Sequence, residues 1–143
     1  MKAVIQRVSR AMLRTDGKTV SQIGAGFCIY LGVEKGDSAA EADALARKIA
    51  KLRIFEDEAG KLNRSALDCG FEALVISNFT LCADCSHGNR PSFAGAEAPE
   101  AANALYERFC EVLAETGLRT ARGVFGADME IEQINDGPVT IVL

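Results

Sequence analysis

Apolar residues recur at helical spacing in only two stretches of this chain; elsewhere they form short extended runs between turn residues. In the first stretch Ala42, Leu45, Ala46, Ile49 and Leu52 predict a helix over 39–53. Ser38-Ala39-Ala40-Glu41 opens it as a capping box, in which serine and glutamate satisfy each other's backbone N–H groups. In the second, Pro99 suits a first helical position, Ala102, Leu105, Phe109, Val112 and Leu113 form the stripe, and Gly117 ends it. The rest reads as strands. Residues 2–9 and 12–15 are extended, Asp16-Gly17 is a hairpin turn, and 18–23 return. Gly24-Ala25-Gly26 turns again into 27–33, a continuous apolar run suited to burial on both faces. Residues 71–81, the most apolar stretch, predict a central strand, and 129–134 and 139–143 predict two more around an Asn135-Asp136-Gly137-Pro138 turn. About seven strands with few helices imply an α+β (α/β mixed) fold: a curled, barrel-like, mostly antiparallel sheet with two main helices on one side.

At 143 residues the chain fits one domain, 1–143, with no internal repeat or linker. No run of about 18 apolar residues crosses a membrane, and Gln6-Arg7 break the first apolar stretch before it reaches signal-peptide length. A cytoplasmic location is expected. The cysteine count of five is odd, and Cys28, Cys69 and Cys110 sit among apolar neighbours, which fits buried thiols in a reducing compartment. The net charge of −4 argues against a protein that wraps much phosphate backbone. Basic residues are instead local: Arg7, Arg10 and Arg14, then Arg47, Lys48, Lys51 and Arg53.

Several segments invite chemistry. Cys82-Ala83-Asp84-Cys85-Ser86-His87 offers three ligands on one loop, short of the four a structural zinc site takes; incidental cysteines are the plainer reading. His87, the only histidine, has no orienting carboxylate beyond Asp84, so a histidine-based triad has little support. Ser77, Asn78 and Thr80 put polar groups inside an apolar strand, where they either pair internally or line a pocket. Arg90-Pro91-Ser92-Phe93 either rejoins the core through Phe93 or sets an arginine beside that pocket.

Taken together in order, Gln6-Arg7-Val8, Ser77-Asn78-Phe79-Thr80-Leu81, Arg90-Pro91-Ser92-Phe93, Phe125-Gly126-Ala127-Asp128-Met129 and Asn135-Asp136-Gly137-Pro138-Val139-Thr140 resemble the D-aminoacyl-tRNA deacylase family, first known as D-tyrosyl-tRNA deacylase. The likeness runs through essentially the whole chain. It implies a homodimer whose pocket forms between subunits, with residues 77–80 as one wall and the partner's Gly137-Pro138, joined by a cis bond, as the other. Such a bond aims carbonyls at the α-amino group of an aminoacyl ester. A D side chain would then point to solvent, and an L side chain would run into the dipeptide. Glycine would pass, so the implied partner is a tRNA acceptor end carrying a D-amino acid or glycine, including glycine mischarged on tRNA-Ala.

The resemblance implies ester hydrolysis with no cofactor and no metal. Thr80, Phe79 and Ser77 form the catalytic segment, with backbone N–H groups near Phe79 and Thr80 as oxyanion donors. Asn78, Gly137, Pro138, Arg7, Phe93, Met129 and Asn135 are the implied substrate-binding residues. A nucleophilic Thr80 lacks an adjacent base, which favours water activated by the terminal 2′-hydroxyl of the tRNA. Three departures stand out: Asn78 where the family usually has glutamine, Gln133 at a usually apolar position, and the Cys82/Cys85 pair. A non-enzymatic dimeric module binding an adenosine end or nucleic acid is the alternative. A metal-binding loop at Cys82, Cys85 and His87 is a third.

Overall fold

The computed structural model describes residues 1–143. Strand β1 (Lys2–Thr15) turns at Asp16-Gly17 into β2 (Lys18–Ile23), and β3 (Gly26–Gly32) follows. Helix α1 (Ala39–Ala50), a small hairpin of β4 (Phe55–Glu56) and β5 (Leu62–Arg64), and one-turn α2 (Ala66–Cys69) lead to β6 (Glu72–Ser77). A 3-10 turn (Phe79–Cys82), α3 (Pro99–Glu115), β7 (Arg119–Arg122) and β8 (Glu130–Val142) complete the chain.

The large sheet runs β2-β1-β3-β6-β7, with β8 on the other edge of β1. β1 is antiparallel to β2, β3 and β8, while β6 is parallel to both β3 and β7, so the sheet is mixed with an antiparallel majority. The Ser21 hydroxyl donates to the Arg122 carbonyl and brings β2 back against β7, nearly closing the curl.

β3 and β6 are buried on both faces, as the apolar run over 27–33 implied. Phe27, Ile29, Leu31 and Val75 pack with Ile49, Tyr106, Phe109 and Leu113 on the helix side. Cys28, Leu74 and Ile76 pack with Val8, Leu13 and Ile23 inside the curl. The capping box closes as expected, with Ser38 N–H donating to Glu41 Oε2 at 2.8 Å and Glu41 N–H to Ser38 Oγ at 3.3 Å. A bidentate pair of Arg108 on α3 with Asp43 on α1, both contacts 2.7 Å, joins the two helices.

Two expected elements differ. The strand predicted over 71–81 stops at Ser77, because Asn78 leaves the extended region (ψ 89°) and caps the 3-10 turn. The turn predicted at Asn135-Asp136-Gly137-Pro138 is not a turn: β8 runs straight through it. β8 pairs with β1 on both sides of the segment, Asn135 opposite Val8 and Thr140 opposite Gln6. Between those pairs, residues 136–139 of β8 face Arg7 alone, so the strand bulges outward instead of reversing. Helix α2, with its own Ser65/Asp68 capping box, and edge strand β7 were not foreseen.

Candidate active site

β6 ends at the polar residues that were out of place in an apolar strand. The Asn78 N–H continues the ladder by donating to the Leu31 carbonyl at 2.8 Å, and the chain then tightens into the 3-10 turn. The turn sits on Gly32: a Cβ there would lie 3.0 Å from Leu81 Cβ and 3.1 Å from the Asn78 carbonyl, so only glycine lets the turn approach this closely. The first N–H groups of a helical turn have no partner within it. Asn78 Oδ1 takes the Thr80 N–H at 3.2 Å and also accepts from the Thr80 hydroxyl. The Phe79 N–H is left without a partner in the chain.

This corner opens on a cavity of about 580 Å³ with mostly apolar walls. Ser77, Asn78 and Phe79 form one side, Phe125 to Met129 another, and Glu97, Pro99 and Tyr106 a third. Its phenols are held protonated. Burial, then the charge of Cys28, pushes Tyr30 up to about 12, and burial raises Tyr106 further. The Tyr106 hydroxyl donates to the Val75 carbonyl at 3.0 Å and fixes α3 against β6. The Tyr30 hydroxyl donates to Gln133 Oε1 at 3.0 Å, and Gln133 Nε2 donates to Gln6 at 2.6 Å and to Asn135 at 2.8 Å. The unusual Gln133 therefore joins three strands through side-chain bonds.

The implied site residues fall into two groups. Ser77, Asn78, Phe79 and Met129 line the large cavity. Thr80 stands exposed beside it. Phe93 packs edge-on against Phe79 with ring centroids 5.1 Å apart, at the rim. Asn135, Gly137, Pro138 and Arg7 lie elsewhere and line no part of that cavity. The Gly137-Pro138 bond is cis, and both residues are exposed on the β8 bulge. Arg7 is buried behind the bulge. Its Nε donates to the Asp136 carbonyl at 3.1 Å and its Nη1 to the Ile54 carbonyl at 2.9 Å, with the Asp136 carboxylate 3.2 Å from Nε. Arg7 and Asp136 line a separate cavity of about 300 Å³ with Phe55, Glu56, Arg64 and Phe71.

Of the two loop thiols, Cys82 has a partner in the fold. Cys82 is buried, its Sγ donates to the Val33 carbonyl at 3.4 Å, and burial raises its pKa. Cys85 and His87 are exposed. No three His, Cys, Asp or Glu side chains converge in a geometry that holds a metal ion. Sequence reasoning missed Tyr30, Glu97 and Tyr106. Tyr106 was left off the expected stripe of α3, although it is buried there with Phe109 and Leu113, and Glu97 precedes the helix with no local signal.

The Asn78 cap has a measurable consequence. Asn78→Ala should lower the unfolding free energy by about 1 kcal/mol in urea denaturation, the usual effect of losing such a cap. Asn78→Asp, which keeps the acceptor, should stay close to the parent. Equal stability of all three proteins would mean that the side chain does not hold the turn.

The model of a family described as D-Tyr-tRNA(Tyr) deacylase matches residues 4–143. A protein of Anaeromyxobacter dehalogenans (strain 2CP-C) named D-aminoacyl-tRNA deacylase is 54% identical over 143 residues, covering all of this chain and 96% of that protein. One of the same name from Deinococcus radiodurans is 53% identical, covering all of this chain and 99% of its own. Among solved structures, one titled c-Myc DNA Unwinding Element Binding Protein superposes with a TM-score of 0.92 at 44% identity, covering 100% of this chain and 97% of that one. Another, titled as a probable eukaryotic D-amino acid tRNA deacylase, has a TM-score of 0.85 at 17% identity over 99% of this chain and 97% of that chain, a likeness of fold.

Proposed function

The chain belongs to the D-Tyr-tRNA(Tyr) deacylase family, hydrolases of the aminoacyl-tRNA ester bond, and on that premise we propose that it clears D-amino acids, and glycine mischarged on tRNA-Ala, from tRNA. It does so as one domain over residues 1–143, in a cytoplasmic homodimer, with no cofactor or metal. The observation that carries this reading is the unpartnered Phe79 N–H at the mouth of an apolar cavity. A fixed backbone donor stabilises negative charge where it develops.

The terminal adenosine enters the cavity and presents its aminoacyl ester to the turn. Water attacks the ester carbonyl carbon, and the oxyanion of the tetrahedral intermediate accepts from the Phe79 N–H. The carbon–oxygen bond to the ribose breaks, that oxygen takes a proton, and free amino acid and tRNA leave. The Thr80 hydroxyl donates to Asn78 Oδ1, an amide oxygen that is no base for its proton, and the only histidine, His87, is an exposed loop residue that makes no side-chain hydrogen bond to Thr80. The 2′-hydroxyl beside the ester therefore orients the water. The chirality filter comes from a second copy. Gly137 and Pro138 are exposed on a bulge braced from behind by Arg7, and in this reading they enter the partner's cavity and block an L side chain. Arg7 and Asn135 thus act on the bulge, and Met129 and Phe93 shape the wall and rim of the site.

One experiment has three arms. D-tyrosyl-tRNA should be cleared, L-tyrosyl-tRNA should decay only at its spontaneous rate, and D-tyrosyl-tRNA ending in 2′-deoxyadenosine should resist. Equal clearance of the D and L esters contradicts the filter, and rapid clearance of the deoxy substrate returns Thr80 as nucleophile. A second reading, a nucleic-acid-binding module without turnover, draws on the 44% identical structure whose title names DNA binding. Retained binding with no hydrolysis of any ester would select it.

A further inference from the structure

Half of the sixteen lysines and arginines are ion-paired: Lys2, Arg7, Arg10, Arg14, Arg47, Arg108, Arg119 and Arg122. Of the eight that are not, five fall in one corner: Lys48, Lys51, Arg53, Lys61 and Arg64. All five are exposed. Lys48 is in the last turn of α1 and Lys51 at its end. Arg53 Nε donates to the Asn63 carbonyl at 2.7 Å, which clamps the end of the helix segment to the β4-β5 hairpin that carries Lys61 and Arg64. The chain's own donors engage two carboxylates of this corner. Asp57 accepts from the Ala59, Lys61 and Asn63 N–H groups, and Asp68 from Ser65. Arg53 and Arg64 also stabilise the charges of Asp57 and Asp68, and Glu56 and Glu58 are exposed nearby, so Lys48, Lys51 and Lys61 are the cations of this corner left without a carboxylate partner.

That place adjoins the β8 bulge. Arg64 lines the same small cavity as Arg7 and Asp136, and Arg7 ties the Ile54 carbonyl to the Asp136 carbonyl. We infer that the corner made by the end of α1 and the β4-β5 hairpin is a phosphate-binding surface for the tRNA acceptor arm, and that each copy supplies it to the cavity of the other. This rests on the proposed deacylase reading. When the bulge of one copy completes the partner's site, its cations arrive beside the ester, where the RNA backbone leaves the cavity. The walls of the cavity are mostly apolar, and its charged lining residues, Glu97 and Asp128, are acidic. Phosphate contacts must come from another surface, and cations free of carboxylate partners are the groups that release counterions when phosphates bind.

The test is Lys48→Glu/Lys51→Glu/Lys61→Glu, which leaves the backbone contacts of Arg53 and Arg64 in place. At low salt, kcat/KM for D-tyrosyl-tRNA should fall by about 10- to 100-fold, almost all of it in KM, and the slope of log kcat/KM against log salt should flatten by about 2 to 3. The ester D-tyrosyl-adenosine, which has no phosphate, should be hydrolysed as fast as by the parent, which also reports an intact fold and site. Unchanged tRNA kinetics and salt slope would reduce the corner to a solvated face, and equal losses on both substrates would trace the effect to the site; either overturns the inference while leaving the deacylase reading standing. A parent protein that hydrolyses neither substrate overturns that reading and the inference with it.

Discussion

Phe79→Pro should lower kcat for D-tyrosyl-tRNA by about 100- to 1000-fold, the scale of losing one oxyanion donor. The substitution removes the N–H that has no partner in the chain and little else from the backbone. Phe79 is the first residue of the 3-10 turn, a position where the fixed φ of proline fits and a missing N–H breaks no internal bond. The ring also goes, with its edge-on contact to Phe93, so Phe79→Leu is the necessary control: it keeps the N–H, and its loss should be far smaller. Similar kinetics for the proline and leucine variants would show that the ring matters and the amide does not. The neighbouring Thr80 N–H does not substitute, because Asn78 Oδ1 already holds it.

Gly137→Ala should cost about 100-fold in kcat/KM on D substrates, the effect expected when a positioning group shifts by about 1 Å. Gly137 has φ +130°, where side chains are rarely tolerated. A Cβ there would lie 2.6 Å from the Val139 N and 2.9 Å from its Cγ2. The first contact is with backbone, so the bulge must move. Arg7 holds its other side, with Nη2 3.5 Å from the same Cβ position. Strain of roughly 1–3 kcal/mol should also lower the thermal midpoint by a few degrees, so activity is to be compared well below that transition. Unchanged kinetics would remove residues 137–138 from the site.

How much was legible follows from how local each signal is. Ser38 and Glu41 announced their helix because both hydrogen bonds of the box close within four residues. The apolar run over 27–33 announced a strand buried on both faces, and Cys28 and Ile29 do pack on opposite sides. Asn135 to Pro138 misled because a four-residue segment with strong turn preference is overruled by pairing to β1, more than a hundred residues away in sequence. The polar residues after Ile76 were rightly read as either paired or pocket-lining, and they are both: Asn78 caps the turn and lines the cavity. Arg7 gave no local sign of its role, since its partners Ile54 and Asp136 are 47 and 129 residues distant. The division of the implied site between residues 77–80 and a partner's Gly137-Pro138 came from the family resemblance and from no local pattern; the two groups do lie apart within the chain, and the proposed chemistry therefore needs a second copy of it.

That necessity can be measured by mixing. Gly137→Ala and Phe79→Pro proteins, each nearly inactive alone, are unfolded together, refolded and assayed on D-tyrosyl-tRNA. If the bulge of one copy completes the cavity of the other, half the dimers are mixed and each holds one intact site, so activity should recover to about one quarter of the parent. If both groups act within one chain, every site carries a defect, and the mixture will be no more active than the average of its two components.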